Sequence, residues 1–202
     1  MLRTPEEVAP EGMAVIGWPQ EAPLEDLAEE LGIGVGRRSL LRPRVTTKAR
    51  SLSRRHGLGA FPWHTDGAER ALPPAWFLLR SLARTRTPTL LLDSETLLSE
   101  RWLRRDLVAG VWLVEGGSHR FHSSVISLSG AIRWNPDIMQ PRGRRAYDAE
   151  IGLRGEIAGA KPIEHEWKTG QVLLLDNRRW LHSRAAVSKK DQDRLLERIQ
   201  GD

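Results

Sequence analysis

The chain reads as a mainly β protein with flanking helices, a β-sandwich or jelly roll, and three observations carry that reading. Short apolar runs bounded by Pro, Gly, Asn and Asp recur along most of the 202 residues, the pattern of strands separated by turns. Only a few segments have helical apolar spacing. They are inserted among the strands and do not alternate with them, as a doubly wound α/β sheet would require. No Gly-rich phosphate loop or G-x-S-x-G nucleophile turn is present.

Taken in order, EAPLEDLAEELGIG (21–34) predicts a helix. Leu24, Leu27 and Leu31 share one face, acidic residues crowd its first turns, and Gly32 stands where a C-cap glycine belongs. Residues 59–66 and 75–83 predict strands, with Pro73 and Pro74 at the turn between them. Another short strand falls at 87–93, after which Ser94 is placed to cap a helix over SETLLSERWLRRDL. A strand at 112–115 leads to a hairpin across HRFHSSVISLSGAIRW with Gly130 at its turn. A second long helix lies within RRAYDAEIGLRGEIAGA, its extent put in question by Gly152 and Gly155. The last third returns to strands at PIEHEWK, QVLLLDN and LHSRAAV, while RLLERI suits a strand or a helix. No repeat or linker divides the chain, so one domain over 1–202 is expected, with 1–40 as a helical and strand lead-in.

Composition narrows the class. Hydrophobic residues at 40% and charged residues at 28% fit a soluble globular protein. No run approaches the roughly 18 apolar residues of a membrane span, and the N-terminus has no basic-then-apolar leader pattern. The absence of cysteine excludes disulfides, thiolate metal sites and cysteine nucleophiles, which fits a cytoplasmic protein. The net charge of +5 comes mainly from arginines clustered at 101–105, 142–145 and 178–179. Such runs are usually solvated faces, and no nucleic-acid reading motif accompanies them, so nucleic acid is not the expected partner.

The chemistry concentrates in PWHTDGA (62–68). On an extended strand His64 and Asp66 point to the same face, either as a local hydrogen-bonded pair or as two ligands of a metal awaiting a third. Five other histidines are available. His56, His119, His122 and His165 have ordinary surface or loop contexts. His182 instead follows a turn, a strongly apolar strand and a polar D-N-R-R turn, a hairpin able to deliver a side chain to a fixed interior point. Two imidazoles and one carboxylate on one side of a metal leave other positions open, an arrangement suited to non-haem Fe(II).

The flanking residues resemble a known family. FPWHTDGA followed by LPPAWFLLRS, then TPTLLLDSETL, IRWNPDIMQP, GQVLLLDNRRWLHSRAAV and DRLLER are similar to the taurine dioxygenase/clavaminate synthase group of Fe(II)- and 2-oxoglutarate-dependent oxygenases. The likeness covers most of the chain from about Leu41. It implies a double-stranded β-helix (jelly roll), with Fe(II) held by His64, Asp66 and His182. It also implies that 2-oxoglutarate chelates the iron, its far carboxylate meeting Arg194 and Thr89. Arg198 falls at a recurrent family arginine that faces the substrate's anionic group in some relatives. Trp63, Trp180 and Arg184 flank the ligands and are read first as packing, with Trp63 kept as a substrate-side candidate.

The implied activity is oxidation, chiefly hydroxylation, of a small anionic or amino-acid-like molecule by dioxygen, with succinate and CO2 as co-products. The alternative is a catalytically inactive or non-redox, cupin-like metal-binding jelly roll. Three departures from the family pattern stand out. The gap from Asp66 to His182 is 182 − 66 = 116 residues. The stretch before Thr89 lacks the glycine pair often found there. The chain is also short, so lid insertions must be reduced or be supplied by a second copy in a homo-oligomer.

Overall fold

The structure is a computed structural model that describes residues 4–43 and 55–202. Its largest sheet has five antiparallel strands in the spatial order β1 (Met13–Gly17), β9 (Gln171–Asp176), β3 (Trp76–Ser81), β11 (Leu196–Gly201) and β2 (Val35–Leu41). A smaller antiparallel sheet holds β10 (Trp180–Arg184), β4 (Thr89–Asp93) and β8 (Ile163–His165). Side chains alternate across each strand, so one face of each sheet meets the other. Phe77, Leu79, Leu173, Leu175 and Leu196 from the large sheet pack with Leu91 and Trp180 from the small one. This two-sheet, mainly β architecture is the predicted jelly roll.

The outer faces are covered separately. Helix α2 (Leu24–Glu30) lays Leu24, Leu27 and Ala28 on Trp76, Leu78, Val172, Leu174 and Ile199 of the large sheet. Gly32 follows the helix at φ +70°, the C-terminal left-handed turn its sequence predicts. Behind the small sheet, Leu92 and Leu181 join a second apolar layer. That layer is built from α4 (Arg101–Ala109), α5 (Gly143–Gly159) and the sheet of β6 (His119–Ser123), β5 (Val111–Gly116) and β7 (Met139–Arg142).

Four elements differ from expectation. Residues 59–66 form no regular strand: His64 alone makes a β-bridge, to His182. Pro62 has no N–H to give a ladder, and the neighbouring amides go to different elements. Phe61 and His64 donate to the carbonyls of Arg184 and His182 at 2.9 and 3.0 Å, whereas Thr65 donates to that of Trp134 at 2.8 Å. The helix expected from Ser94 is two, a single turn α3 (Ser94–Leu97) and then α4; Asp93 and not Ser94 is the cap, accepting from the Glu95 amide at 3.0 Å. The hairpin at 119–134 is split. Its first half pairs back on β5, and only Ile126 and Ile132 meet locally around Gly130 at φ +90°. Finally, α5 runs unbroken through Gly152, where a Cβ would lie 2.6 Å from the Trp102 ring of α4. The glycine is a helix-crossing point and not a breaker. RLLERI resolves as the strand β11.

Candidate metal centre

The bridge between His64 and His182 brings residues 118 apart in sequence into one register (182 − 64 = 118). On β10, Trp180, His182 and Arg184 point between the two sheets, as do Thr89 and Leu91 opposite them on β4. Asp66 is positioned by a neighbour in the turn between β9 and β10. The Asn177 side chain accepts from the Asp66 amide at 2.7 Å and donates to the Asp66 carbonyl at 2.9 Å and the Pro74 carbonyl at 2.8 Å. Thr65 turns the other way, its hydroxyl accepting from the Trp134 amide at 3.1 Å.

His64, Asp66 and His182 are buried, and one potential ligand atom from each lies within 4.8 Å of the others. Asp66 Oδ1 is 3.9 Å from His64 Nε2 and 3.7 Å from His182 Nε2. His64 Nδ1 lies 2.9 Å from the Pro62 carbonyl. A carbonyl only accepts, so Nδ1 carries the proton and Nε2 keeps a bare lone pair. Burial, reinforced by the neighbouring His182, pushes the His64 pKa down to about 3, leaving a neutral imidazole at neutral pH. Burial alone would raise the Asp66 pKa. The Arg198 guanidinium and the two imidazoles outweigh it and hold the carboxyl well below the usual carboxylate range. The neutral His64 imidazole, the Asp66 carboxylate and the His182 imidazole converge as a donor set that fits a divalent first-row metal such as Fe(II).

The three side chains line a cavity of about 910 Å³. Arg194 and Arg184 also line it, each about 5% exposed and each with a buried Nε that has no hydrogen-bond partner among the described residues. Burial lowers both pKa values to about 10, with Arg184 adding to the effect on Arg194, so both remain cationic at neutral pH. Arg184 is held by the carbonyls of Gly57 and Gly59 at 2.7 and 2.6 Å and lies 3.8 Å above the Phe61 ring. Thr89 lines the same cavity. Its hydroxyl oxygen accepts from Trp167 Nε1 at 3.1 Å, which leaves the O–H free to donate. Asp191 shapes the turn before Arg194 by accepting from Thr85 Oγ1, Thr87 Oγ1 and the amides of Arg86 and Thr87.

Arg198 lines the cavity beside the centre, its Nη1 2.7 Å from both carboxylate oxygens of Asp66. Trp63 packs against the apolar layer containing Trp112 and Trp134 and is not on the cavity wall. Trp180 is buried, its indole N–H bonded to the Glu11 carbonyl at 3.0 Å. Of the other histidines, His56 pairs with Asp137 at 2.7 Å and His165 meets Trp167 edge to face, while His119 and His122 are exposed on β6. Sequence reasoning missed Asn177 and the proximity of Arg184 to Arg194. A signal for Asn177 was present, since an Asn in a tight D-N-R-R turn next to a ligand strand has few reasons to be there other than its amide.

No protein-family model matches this sequence, and no curated protein sequence matches it. Solved structures do. An asparagine oxygenase in complex with Fe(II), 2S,3S-3-hydroxyasparagine and succinate superposes with a TM-score of 0.74 at 15% identity, over 98% of this chain and 76% of that one. The non-heme iron oxygenase OrfP, in complex with Fe and alpha-ketoglutaric acid, gives 0.75 at 17% identity, over 98% and 77%. OrfP with Fe, succinate and (3R,4R)-dihydroxy-L-Arg gives 0.78 at 15%, over 98% and 78%. At these identities the likeness establishes a shared fold, a jelly roll.

Proposed function

We propose that this chain is an Fe(II)- and 2-oxoglutarate-dependent dioxygenase of the taurine dioxygenase/clavaminate synthase-like family, acting as one domain over 1–202. It hydroxylates a small amino-acid-like or anionic molecule. The observation that carries the proposal is one cavity holding both the convergent His64–Asp66–His182 donor set and two buried, cationic arginines whose Nε atoms have no partner among the described residues. A dead scaffold has no use for buried cations facing a polar cavity, because each costs free energy unless an anion meets it. The fold shared with asparagine and arginine oxygenases supports the same reading.

In this proposal His64, Asp66 and His182 hold Fe(II), which with 2-oxoglutarate and dioxygen supplies the oxidising chemistry and yields succinate and CO2. Arg194 takes the far carboxylate of 2-oxoglutarate, a planar fork meeting two oxygens, and the Thr89 hydroxyl donates beside it. Arg184 adds a second positive charge at that end. Substrate enters over Arg198, Arg70 and Glu69, which also line the cavity and offer both signs of charge, as an amino acid's own groups require.

The test is anaerobic addition of Fe(II) and 2-oxoglutarate. A weak visible charge-transfer band should appear in wild type, be lost in His182→Ala, and require much more 2-oxoglutarate in Arg194→Met. Soluble, folded wild type without the band would favour a non-redox metal-binding jelly roll. Under air, a library of amino acids and related acids screened for stimulated succinate release then identifies the substrate.

A further inference from the structure

We propose that Arg198 is an internal competitor of the metal for Asp66, so that metal affinity is set by how strongly this guanidinium holds the carboxylate. The inference rests on the reading of His64, Asp66 and His182 as a metal site.

Three observations carry it. A single nitrogen, Arg198 Nη1, is equidistant from Asp66 Oδ1 and Oδ2 at 2.7 Å and so bridges the two oxygens. Oδ1 is also the oxygen nearest both imidazole Nε2 atoms, at 3.7 and 3.9 Å. The oxygen an ion shared with both histidines would take is therefore one that Arg198 already occupies. Second, Asp66 does not need Arg198 for its place in the fold, because Asn177 pins its amide and its carbonyl independently. Third, among the described residues Arg198 has little else to hold it. Its Nε makes a long 3.3 Å contact with Ser39 Oγ on β2, and the side chain lines the cavity beside Arg70 and Gln200.

A divalent ion and a guanidinium sharing one small carboxylate repel each other in a buried setting where screening is weak. Metal entry then requires Arg198 to release Oδ1 and turn into the cavity. An anion bound there gives it a new partner and eases the release. By linkage, that anion and the metal strengthen each other's binding. Arg198 thereby couples the loading of metal and of anion, a role distinct from simply anchoring one of them.

The direction of the effect makes this testable without turnover. Wild type, Arg198→Met and Arg198→Lys are titrated anaerobically with Co(II) alone, and the dissociation constant is read from the visible d–d bands. Arg198→Met should bind Co(II) about tenfold more tightly than wild type or better, since the competing charge is gone. Arg198→Lys, which keeps the charge, should stay near wild type. Where Arg198→Met does not fold, Arg198→Gln gives the same neutral comparison while retaining a hydrogen-bond donor. Neutral variants with unchanged or weaker Co(II) affinity would overturn the proposal, because a merely structural arginine weakens the site when removed. If wild type and the neutral variants all bind Co(II) no better than His182→Ala, the metal site itself is wrong, and that failure is distinguishable from the first.

Discussion

Asn177 offers the sharpest link between the fold and the proposed centre. Its side chain is 1% exposed and satisfies three backbone groups, the Asp66 amide and the carbonyls of Asp66 and Pro74, at 2.7, 2.9 and 2.8 Å. Asn177→Ala leaves all three without that partner. A buried polar group left unsatisfied costs about 1–3 kcal/mol, and partial relaxation keeps the sum below three full penalties, so a loss of about 4 kcal/mol is expected. For a chain of this size that lowers Tm by about 8–16 °C. Asn177→Asp is the informative isostere. It retains an acceptor for the Asp66 amide but sets a carboxylate oxygen against two carbonyls, and should destabilise at least as much. Denaturant unfolding measures the stability, and Co(II) titration of the variant that stays folded measures the site. Asp66 is held by this clamp, so metal affinity should fall as well. An Asn177→Ala protein melting within about 2 °C of wild type, with unaltered Co(II) affinity, would refute the reasoning.

Three further outcomes follow from single contacts. Gly152 and Gly155 lie in the same helix, yet an added Cβ meets the Trp102 ring at 2.6 Å and Leu103 at 3.0 Å in the first case and nothing within 4 Å in the second. In thermal melts Gly152→Ala should destabilise by about 1–3 kcal/mol from overpacking, while Gly155→Ala should stabilise by about 0.5–1 kcal/mol from helix propensity. Asp191 is buried but accepts four hydrogen bonds, which outweigh burial and hold its pKa below the ordinary value. Its contribution is therefore fully present above the unfolded-chain pKa and is lost as pH falls through the lower folded value. Asp191→Asn should be less stable at neutral pH and lose less further stability than wild type below about pH 4, as followed by urea unfolding across that range. Saturating Co(II), at about 100 times its dissociation constant, should stabilise wild type by about 2.7 kcal/mol, and differential scanning fluorimetry should show no such shift in His182→Ala.

Much of the fold was legible because apolar runs and turn residues are local signals. QVLLLDN, WFLLR and TLLLD are buried strands bounded by Gly, Pro or Asp, and they appear within a residue or two of expectation. The misplacements have one cause: a tertiary partner overrode a local preference. Residues 59–66 carry strand-like alternation, but their amides are claimed by Arg184, His182 and Trp134 in turn, so no ladder forms. Gly152 looks like a helix breaker until Trp102 of another helix is seen against it. In the candidate site, the pair two residues apart was readable from its short spacing, although only His64 bridges to a strand, and His182 was readable because it follows the D-N-R-R turn into β10. The convergence of Arg184 on Arg194 was not, since it depends on how β10 and the segment after it cross the cavity.

The strand β11 was the hardest element to read, and its charges explain both the difficulty and the outcome. In Leu-Glu-Arg-Ile-Gln-Gly the alternation sends Leu196, Arg198 and Gln200 toward the cavity, while Ile199 packs under α2. Glu197, on that second face, is fully buried. It is neutralised by Arg80 at 2.6 and 2.9 Å and by Arg38 at 2.7 Å, residues 117 and 159 positions away. A strand with a buried Glu197 on one face and a partly buried Arg198 on the other has no purely apolar side, so no period of hydrophobicity reports it. The same arrangement fixes its register more firmly than apolar packing would. A one-residue slip exchanges the two faces. It would carry Glu197 into the cavity away from Arg80, and Arg198 under α2 away from Asp66. One buried ion pair, Glu197–Arg80, and one partly buried pair, Arg198–Asp66, would be broken at once, the buried one alone at a cost of about 3–5 kcal/mol. The Glu197–Arg80 pair on the outer face is thus what commits Arg198 to the inner one, opposite Asp66.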